Sequence, residues 1–261
     1  MAAPQVSIVI PIYREAGFLE GSLMRLVEGL ERHRLEYEIL LVEQFSDQAA
    51  IDESREVAAR FACVRHLLLP EPDFGQAMRR GMLEANGDLI VNFDIDYWDV
   101  TFVRMCLAMM PEFDIDLVIG SKNARLSVDN RALSRRLISQ GFRLVLQTVF
   151  GLRVSDTHGI KAWRRSPALV EQIQACRFTR DVFDTELVIR GERAGFRLLE
   201  LPVTVAEQRK PRSSIFRRVP GAAWNLLRLY FILWRESPGR SIPRGAITER
   251  QITPSPVEPE A

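Results

Sequence analysis

Apolar residues recur along the first half of the chain in two alternating rhythms. Short β-branched runs lie at Val6–Ile12, 38–42, 64–69, 88–93 and 116–120, and each reads as a buried strand. Between them the spacing changes to helical. Leu19, Leu23, Leu26, Val27 and Leu30 share one face of a helix over 18–30, with further helices over 50–61 and 76–85. Asn86-Gly87 reads as the C-cap pair of the last of these. Strands alternating with helices predict an α/β fold: a mostly parallel central sheet with helices on both faces. Ligands of such sheets bind at the carboxyl ends of strands, so the residues just after each run are the informative ones.

The second half is less regular. A basic helix is expected over 131–150, a short strand over 159–163, a helix over 182–194, a strand over 197–205 and an apolar helix over 219–234. One domain over 1–236 accounts for these, and the tail 237–261, rich in Pro, Ser, Glu and Arg, is expected to be disordered. The chain has 261 residues, 47% hydrophobic, with a formal net charge of +1. That balance gives no global attraction to nucleic acid. Three scattered cysteines fit reduced thiols, and three scattered histidines argue against zinc. Met1 to Gln5 lacks the basic start of a secretory leader, and no run approaches the roughly 20 apolar residues of a membrane span. A cytoplasmic chain is expected.

The strand ends carry the chemistry. Pro11-Ile-Tyr-Arg-Glu15 follows the first strand, where the proline is expected to stop the ladder and turn the chain out of the sheet. Tyr13 offers a ring to a base and Glu15 an acceptor to a ribose hydroxyl; equally, the segment fits an ordinary helix start. Glu43 and, less directly, Gln44 end the second strand and can meet the edge of a base, although Ser46-Asp47 is helix-start chemistry. Phe93-Asp94-Ile95-Asp96 is the sharpest signal. Oxygen-only ligation by Asp94 and Asp96 suits Mg²⁺ or Mn²⁺ bridging phosphates. The competing reading makes these aspartates caps of a helix starting near Asp99.

Asp156-Thr-His-Gly159 and Phe183-Asp184-Thr-Glu186 add further carboxylates. Asp184 and Glu186 either face a sugar or sit in a first helical turn for the dipole's sake. Arg131, Arg135, Ser139 and Arg143 form one helical stripe, read from composition as a solvated face. Arg209, Lys210, Arg212, Arg217 and Arg218 precede the apolar helix, which has Trp224 and Trp234 near its ends. A basic segment abutting such a helix fits an interfacial helix on an anionic leaflet; a core-packed or dimer-forming helix is the alternative.

Taken in order, these segments resemble glycosyltransferase family 2. Residues 6–15 are similar to its VVIPTYNE opening, and 74–81 with 85–94 to its glycine-bearing helix and DxD strand. Ile119-Gly-Ser-Lys122, Asp156 to Lys161, Asp184 to Leu187 and Gly195 to Val203 resemble the order in polyprenyl-phosphate sugar transferases related to dolichol-phosphate mannosyltransferase. The resemblance implies a GT-A fold and inverting, metal-dependent transfer from a GDP- or UDP-sugar to a polyprenyl phosphate or another acceptor; with the basic segment and apolar helix, the polyprenyl reading expects the chain peripherally on the inner membrane face. The resemblance also implies that Pro11, Tyr13 and Glu15 bind nucleotide, that Asp94 and Asp96 hold the metal, and that Lys122 with Arg131 meets the acceptor phosphate or the donor. A lipid phosphate needs no general base, since its oxygen is already anionic near neutral pH. A hydroxyl of a glycan or small molecule would need one, with Asp156 or Asp184 as candidates. The chain departs from the family at Glu43-Gln44-Phe45 (usually Asp-Asp-Gly), at Trp98, at the shorter 156–159 loop and at Arg212-Ser213. The first departure keeps open a third reading, a homologue that binds donors weakly.

Overall fold

The computed structural model describes residues 4–15, 17–121, 133–152, 154, 157, 159–203 and 215–236. Seven strands, β1 (Val6–Ile12), β2 (Tyr37–Glu43), β3 (Val64–Leu68), β4 (Leu89–Asn92), β5 (Leu117–Ser121), β6 (Lys161–Arg164) and β7 (Leu198–Pro202), form one sheet in the order β3-β2-β1-β4-β6-β5-β7. Pairing is parallel except around β6, which runs against both β4 and β5. This is the mostly parallel α/β sheet expected.

Alternation within the strands sends side chains to two cores. Ile8, Ile10, Ile39, Leu41 and Val91 pack against α1 (Leu19–Arg32), α2 (Gln48–Ala59) and α4 (Val100–Glu112). Val9, Leu40, Val42, Ile90 and Ile119 pack on the opposite face against α3 (Phe74–Glu84), α5 (Leu133–Val149), α6 (Pro167–Ala175), α7 (Phe183–Arg193) and α8 (Ile215–Glu236). Buried on both faces, these strands read as continuous apolar runs, which is what made them visible in the sequence.

Two local expectations are corrected. Asn86-Gly87 does not cap α3: the cap residue is Ala85, in an extended conformation. Gly87 is required by proximity instead, because a Cβ there would lie 2.6 Å from the Ser7 backbone nitrogen. Its own N–H donates to the Ser7 hydroxyl at 2.7 Å. Pro11 does not turn the chain out of the sheet either, since β1 continues through Pro11↔Val42 and Ile12↔Glu43. The Val9 carbonyl faces β4 and the Ile12 carbonyl faces β2, so strand alternation points the Pro11 nitrogen to the β4 side. The β1–β4 pairing ends at Val9↔Asn92, so the missing N–H lies past its last paired position and interrupts no bond of the β1–β2 ladder. The helix α6 was not anticipated, although Ser166 caps it by accepting from Leu169 N and Pro167 fills its first turn. The tail 237–261 lies outside the described residues.

Candidate active site

Adjacent strands β2, β1 and β4 place their carboxyl ends side by side, with the start of the antiparallel β6 next to them. Beyond β1, Arg14 adopts a positive φ of 55° and the Glu15 carbonyl accepts from Phe18 N and Leu19 N, opening α1. The Arg14 guanidinium stacks over the Tyr13 ring at 5.4 Å and pairs with Asp47 at 3.7 Å across to the loop after β2. Gln44 N donates to Ile12 O at 2.9 Å, so the two loops leave the sheet together. Tyr13 and Glu15 are half-buried and Pro11 is buried.

Glu43 turns inward. Its side chain is 1% exposed, with His66 Nε2 at 2.6 Å from one oxygen and Ser54 donating to the other at 3.3 Å. Neither partner was anticipated, because His66 lies on β3 and Ser54 on α2.

Residues 94–97 form a β-turn, with Tyr97 N donating to Asp94 O at 3.0 Å and Asp94 N to Tyr97 O at 3.2 Å. Ile95 is buried in the core while Asp94 is exposed and Asp96 half-buried, so the isoleucine anchors the turn. The Trp98 indole N–H donates to the Ser22 hydroxyl at 3.0 Å, and Ser22 donates to Ile95 O at 2.5 Å, tying the turn to α1. Capping of α4 falls to Asp99, which accepts from Thr101 N and Phe102 N. Asp94 and Asp96 therefore have no part in that cap.

Lys161, in register with Asn92 of β4, is the residue that sequence reasoning missed most plainly. Its ammonium is buried and donates to Gly159 O at 2.8 Å and to Asp184 Oδ2 at 3.0 Å. A lone lysine amid Ile160, Ala162 and Trp163 was the available signal. Glu186 is a structural clasp: fully buried, it accepts from Arg177 N, Phe178 N and Arg190 Nε. Lys122, Arg131, Asp156 and His158 lie outside the described residues, as do residues 204–214.

The fold is that of the GT-A class. The chain belongs to glycosyl transferase family 2, whose sequence model matches residues 7–171. It is 27% identical to the glycosyltransferase AglD of Haloferax volcanii over 243 residues, covering 89% of this chain and 38% of that protein. It is 30% identical to a dolichol-phosphate mannosyltransferase of Pyrococcus furiosus over 142 residues, covering 54% and 40%. An undecaprenyl-phosphate 4-deoxy-4-formamido-L-arabinose transferase of Pseudomonas fluorescens is 28% identical over 207 residues, covering 78% and 58%. The chain thus spans about two fifths to three fifths of the length of these relatives. Among solved structures, a mannosyltransferase of Pyrobaculum calidifontis in complex with GDP-Man and Mn²⁺ shares the fold with a TM-score of 0.61 at 19% identity, covering 93% of this chain and 67% of that one. Glucosyl-3-phosphoglycerate synthase of Mycobacterium tuberculosis, solved with Mn²⁺, UDP and phosphoglyceric acid, does so with a TM-score of 0.56 at 18% identity, covering 88% and 79%.

Proposed function

We propose that this chain transfers a sugar, with inversion, from a GDP- or UDP-linked donor to a polyprenyl phosphate at the inner face of a membrane. The observation that carries the reading is the turn at Asp94–Tyr97, which puts two carboxylates, neither of them the cap of α4, at the carboxyl end of a central strand. Their all-oxygen character fits Mg²⁺ or Mn²⁺, which bind through one or two carboxylates and leave other positions to phosphates and water. Among the described residues no cluster of three or more metal-ligating side chains competes with this pair. Asp94 and Asp96 would hold the cation, which would supply positive charge against the negative charge that builds on the departing nucleoside diphosphate.

The chain's own residues divide the rest. Pro11, Tyr13 and Glu15 shape the nucleotide side at the end of β1. Lys122 and Arg131 supply positive charge for the acceptor phosphate. In the transfer, an acceptor phosphate oxygen bonds to the anomeric carbon from the face opposite the leaving group. The bond from that carbon to the diphosphate breaks, and no proton has to move. The second ionisation of a phosphomonoester lies near pH 6, so the nucleophile is already an anion. Asp184 is engaged by Lys161, which suits a reaction without a general base. Two of the relatives above are named for polyprenyl-phosphate chemistry.

Support for the membrane comes from α5 and α8. They share a core through Leu146, Phe150, Leu226, Leu229 and Leu233, with Phe150 edge-on to Tyr230. Their outer faces leave Leu144, Val149, Trp224, Phe231 and Trp234 exposed, Trp224 by 62%. The helices carry seven arginines (Arg135, Arg136, Arg143, Arg217, Arg218, Arg228, Arg235) against one acid, Glu236. Tryptophans with basic flanks suit an anionic interface. Among the described residues no helix is long and apolar enough to cross a membrane.

The test is a transfer assay with GDP- and UDP-hexoses labelled in the sugar, Mn²⁺, and a polyprenyl phosphate in anionic vesicles. Label should pass into the lipid fraction only with phosphate-bearing lipid. Label appearing instead on a soluble hydroxyl acceptor would move the acceptor to that class. Donor binding without transfer to either would leave a binding homologue.

A further inference from the structure

Arginines of α7 clamp the last turn of α8. Arg190 donates through Nη1 to Glu236 Oε2 at 2.8 Å and through Nη2 to Glu236 Oε1 at 3.3 Å. Its Nε donates to Glu186 Oε1 at 2.8 Å, so one guanidinium holds two carboxylates. Further along α7, Arg193 donates to the Leu233 carbonyl at 3.3 Å. Cations at the carboxyl end of a helix also meet the negative end of its dipole. Earlier along α8, Arg228 lies over the Phe178 ring at 5.4 Å, so the helix is held at a second place.

On its other side the same clasp reaches residues that border the strand ends. Glu186 accepts from Arg177 N at 2.9 Å and from Phe178 N at 2.8 Å, which fixes the segment leading into α7. In that segment Arg180, at a positive φ of 57°, donates its N–H to Asp73, the cap of α3. Asp184, in the same first turn as Glu186, pairs with Lys161 beside the carboxyl end of β4. Glu236, Arg190 and Glu186 therefore join the helix that exposes Trp224 and Phe231 to the start of α7. The Arg190 side chain is 7% exposed and that of Glu186 fully buried, while Glu236 keeps 37%. An apolar contact would hold two helices together as firmly. A two-pronged guanidinium–carboxylate pair also fixes their direction.

We infer that Arg190 and Glu236 are positioning residues for the acceptor: they set α8 against the start of α7, so that a phosphate whose chain is buried in a membrane meets the carboxyl end of the sheet. The inference rests on the polyprenyl-phosphate reading above. A long-chain acceptor is confined to the plane in which α8 lies, and the clasp determines how the site faces that plane. A short prenyl phosphate dissolved in water reaches the site from any direction, and its transfer does not depend on the clasp.

The test compares two acceptors, a long-chain polyprenyl phosphate in anionic vesicles and a short-chain prenyl phosphate in solution, with labelled GDP- and UDP-hexoses and Mn²⁺. Wild type, Glu236→Ala, Glu236→Gln and Arg190→Lys are assayed as full chains. Glu236→Ala leaves Arg190 paired with Glu186, so the buried charges stay compensated. Its kcat with the vesicle acceptor should fall about tenfold or more, the scale of a lost charge-assisted hydrogen bond. Its co-sedimentation with the vesicles and its kcat with the short acceptor should not change. Glu236→Gln, whose amide oxygen still accepts from Arg190, should recover most of the loss. Arg190→Lys keeps a charge beside Glu186 without the fork, and should show the same split between acceptors as Glu236→Ala. An equal fall with both acceptors would make the clasp merely structural and overturn the inference. An unchanged rate with the vesicle acceptor, or loss of vesicle binding in Glu236→Ala, would overturn it too. Wild type that transfers sugar to neither phosphate would remove the polyprenyl-phosphate reading and this inference with it.

Discussion

The Lys161 ammonium lies 3.0 Å from the Asp184 carboxylate, with the lysine side chain 2% exposed and the aspartate 13%. The pair joins the first residue of β6 to the first turn of α7, next to the ladder position of Asn92. Thr157 and Thr185 reinforce the junction at 3.1 Å. Breaking a buried pair from one side leaves a charge without compensation, at a cost of about 3–5 kcal/mol. Lys161→Met is therefore expected to lower unfolding stability by about 3 kcal/mol in urea. The double variant Lys161→Met/Asp184→Leu should recover much of that loss. A double variant no more stable than the single one would mean that the pair is not what holds this junction.

A second buried carboxylate, Glu38, lies at the opposite end of the sheet. Burial pushes its carboxyl up, but hydrogen bonds from Ser7, Asn86 and Arg65 outweigh that and hold it below the usual carboxylate range. A carboxyl whose folded-state pKa is depressed contributes stability at pH values above its unfolded pKa, about 4.3, and loses it as pH falls through the lower folded value. Glu38→Gln should accordingly lower the melting temperature at pH 7 and flatten its decline below about pH 4. Parallel melting curves of wild type and variant over that acid range would contradict this.

Much of the fold was legible because both faces of the sheet are covered. Buried parallel strands need unbroken β-branched runs, so β1 stands out with its observed ends, Val6 and Ile12, and the DxD turn follows from β4. What stayed hidden depends on partners distant in the chain. Glu43 and His66 are 23 residues apart, as are Lys161 and Asp184. Each residue taken alone looks like a solvent-facing charge, and only the strand order shows where the charges meet. Pro11 misled for a related reason: its missing N–H matters only if a neighbouring strand lies on that side. Gly87 misled because a glycine that ends a helix and one that admits another backbone look the same in sequence.

The outer face of α5 and α8 gives a third prediction. Each basic residue near an anionic surface is worth about 1 kcal/mol, and the tryptophans add apolar burial. The chain should co-sediment with anionic vesicles at low salt and much less at high salt, because salt screens the charges. Trp224→Ser/Phe231→Ser should reduce binding at both salt concentrations without unfolding the protein, since both side chains are exposed. Failure of the intact chain to sediment with anionic vesicles at low salt would reassign the face to a protein contact and favour a soluble acceptor.

The proposed metal site has Asp94 and Asp96, on the turn anchored by Ile95, hold the donor's diphosphate through a divalent cation. Titration calorimetry of GDP and UDP with and without Mn²⁺, on wild type and Asp96→Ala, addresses it directly. Wild type should bind a nucleotide only when Mn²⁺ is present. Asp96→Ala should lose at least tenfold in that cation-dependent affinity while keeping its circular dichroism and melting temperature, because a half-buried turn carboxylate adds little to the core. Unchanged Mn²⁺-dependent binding by Asp96→Ala would contradict the account.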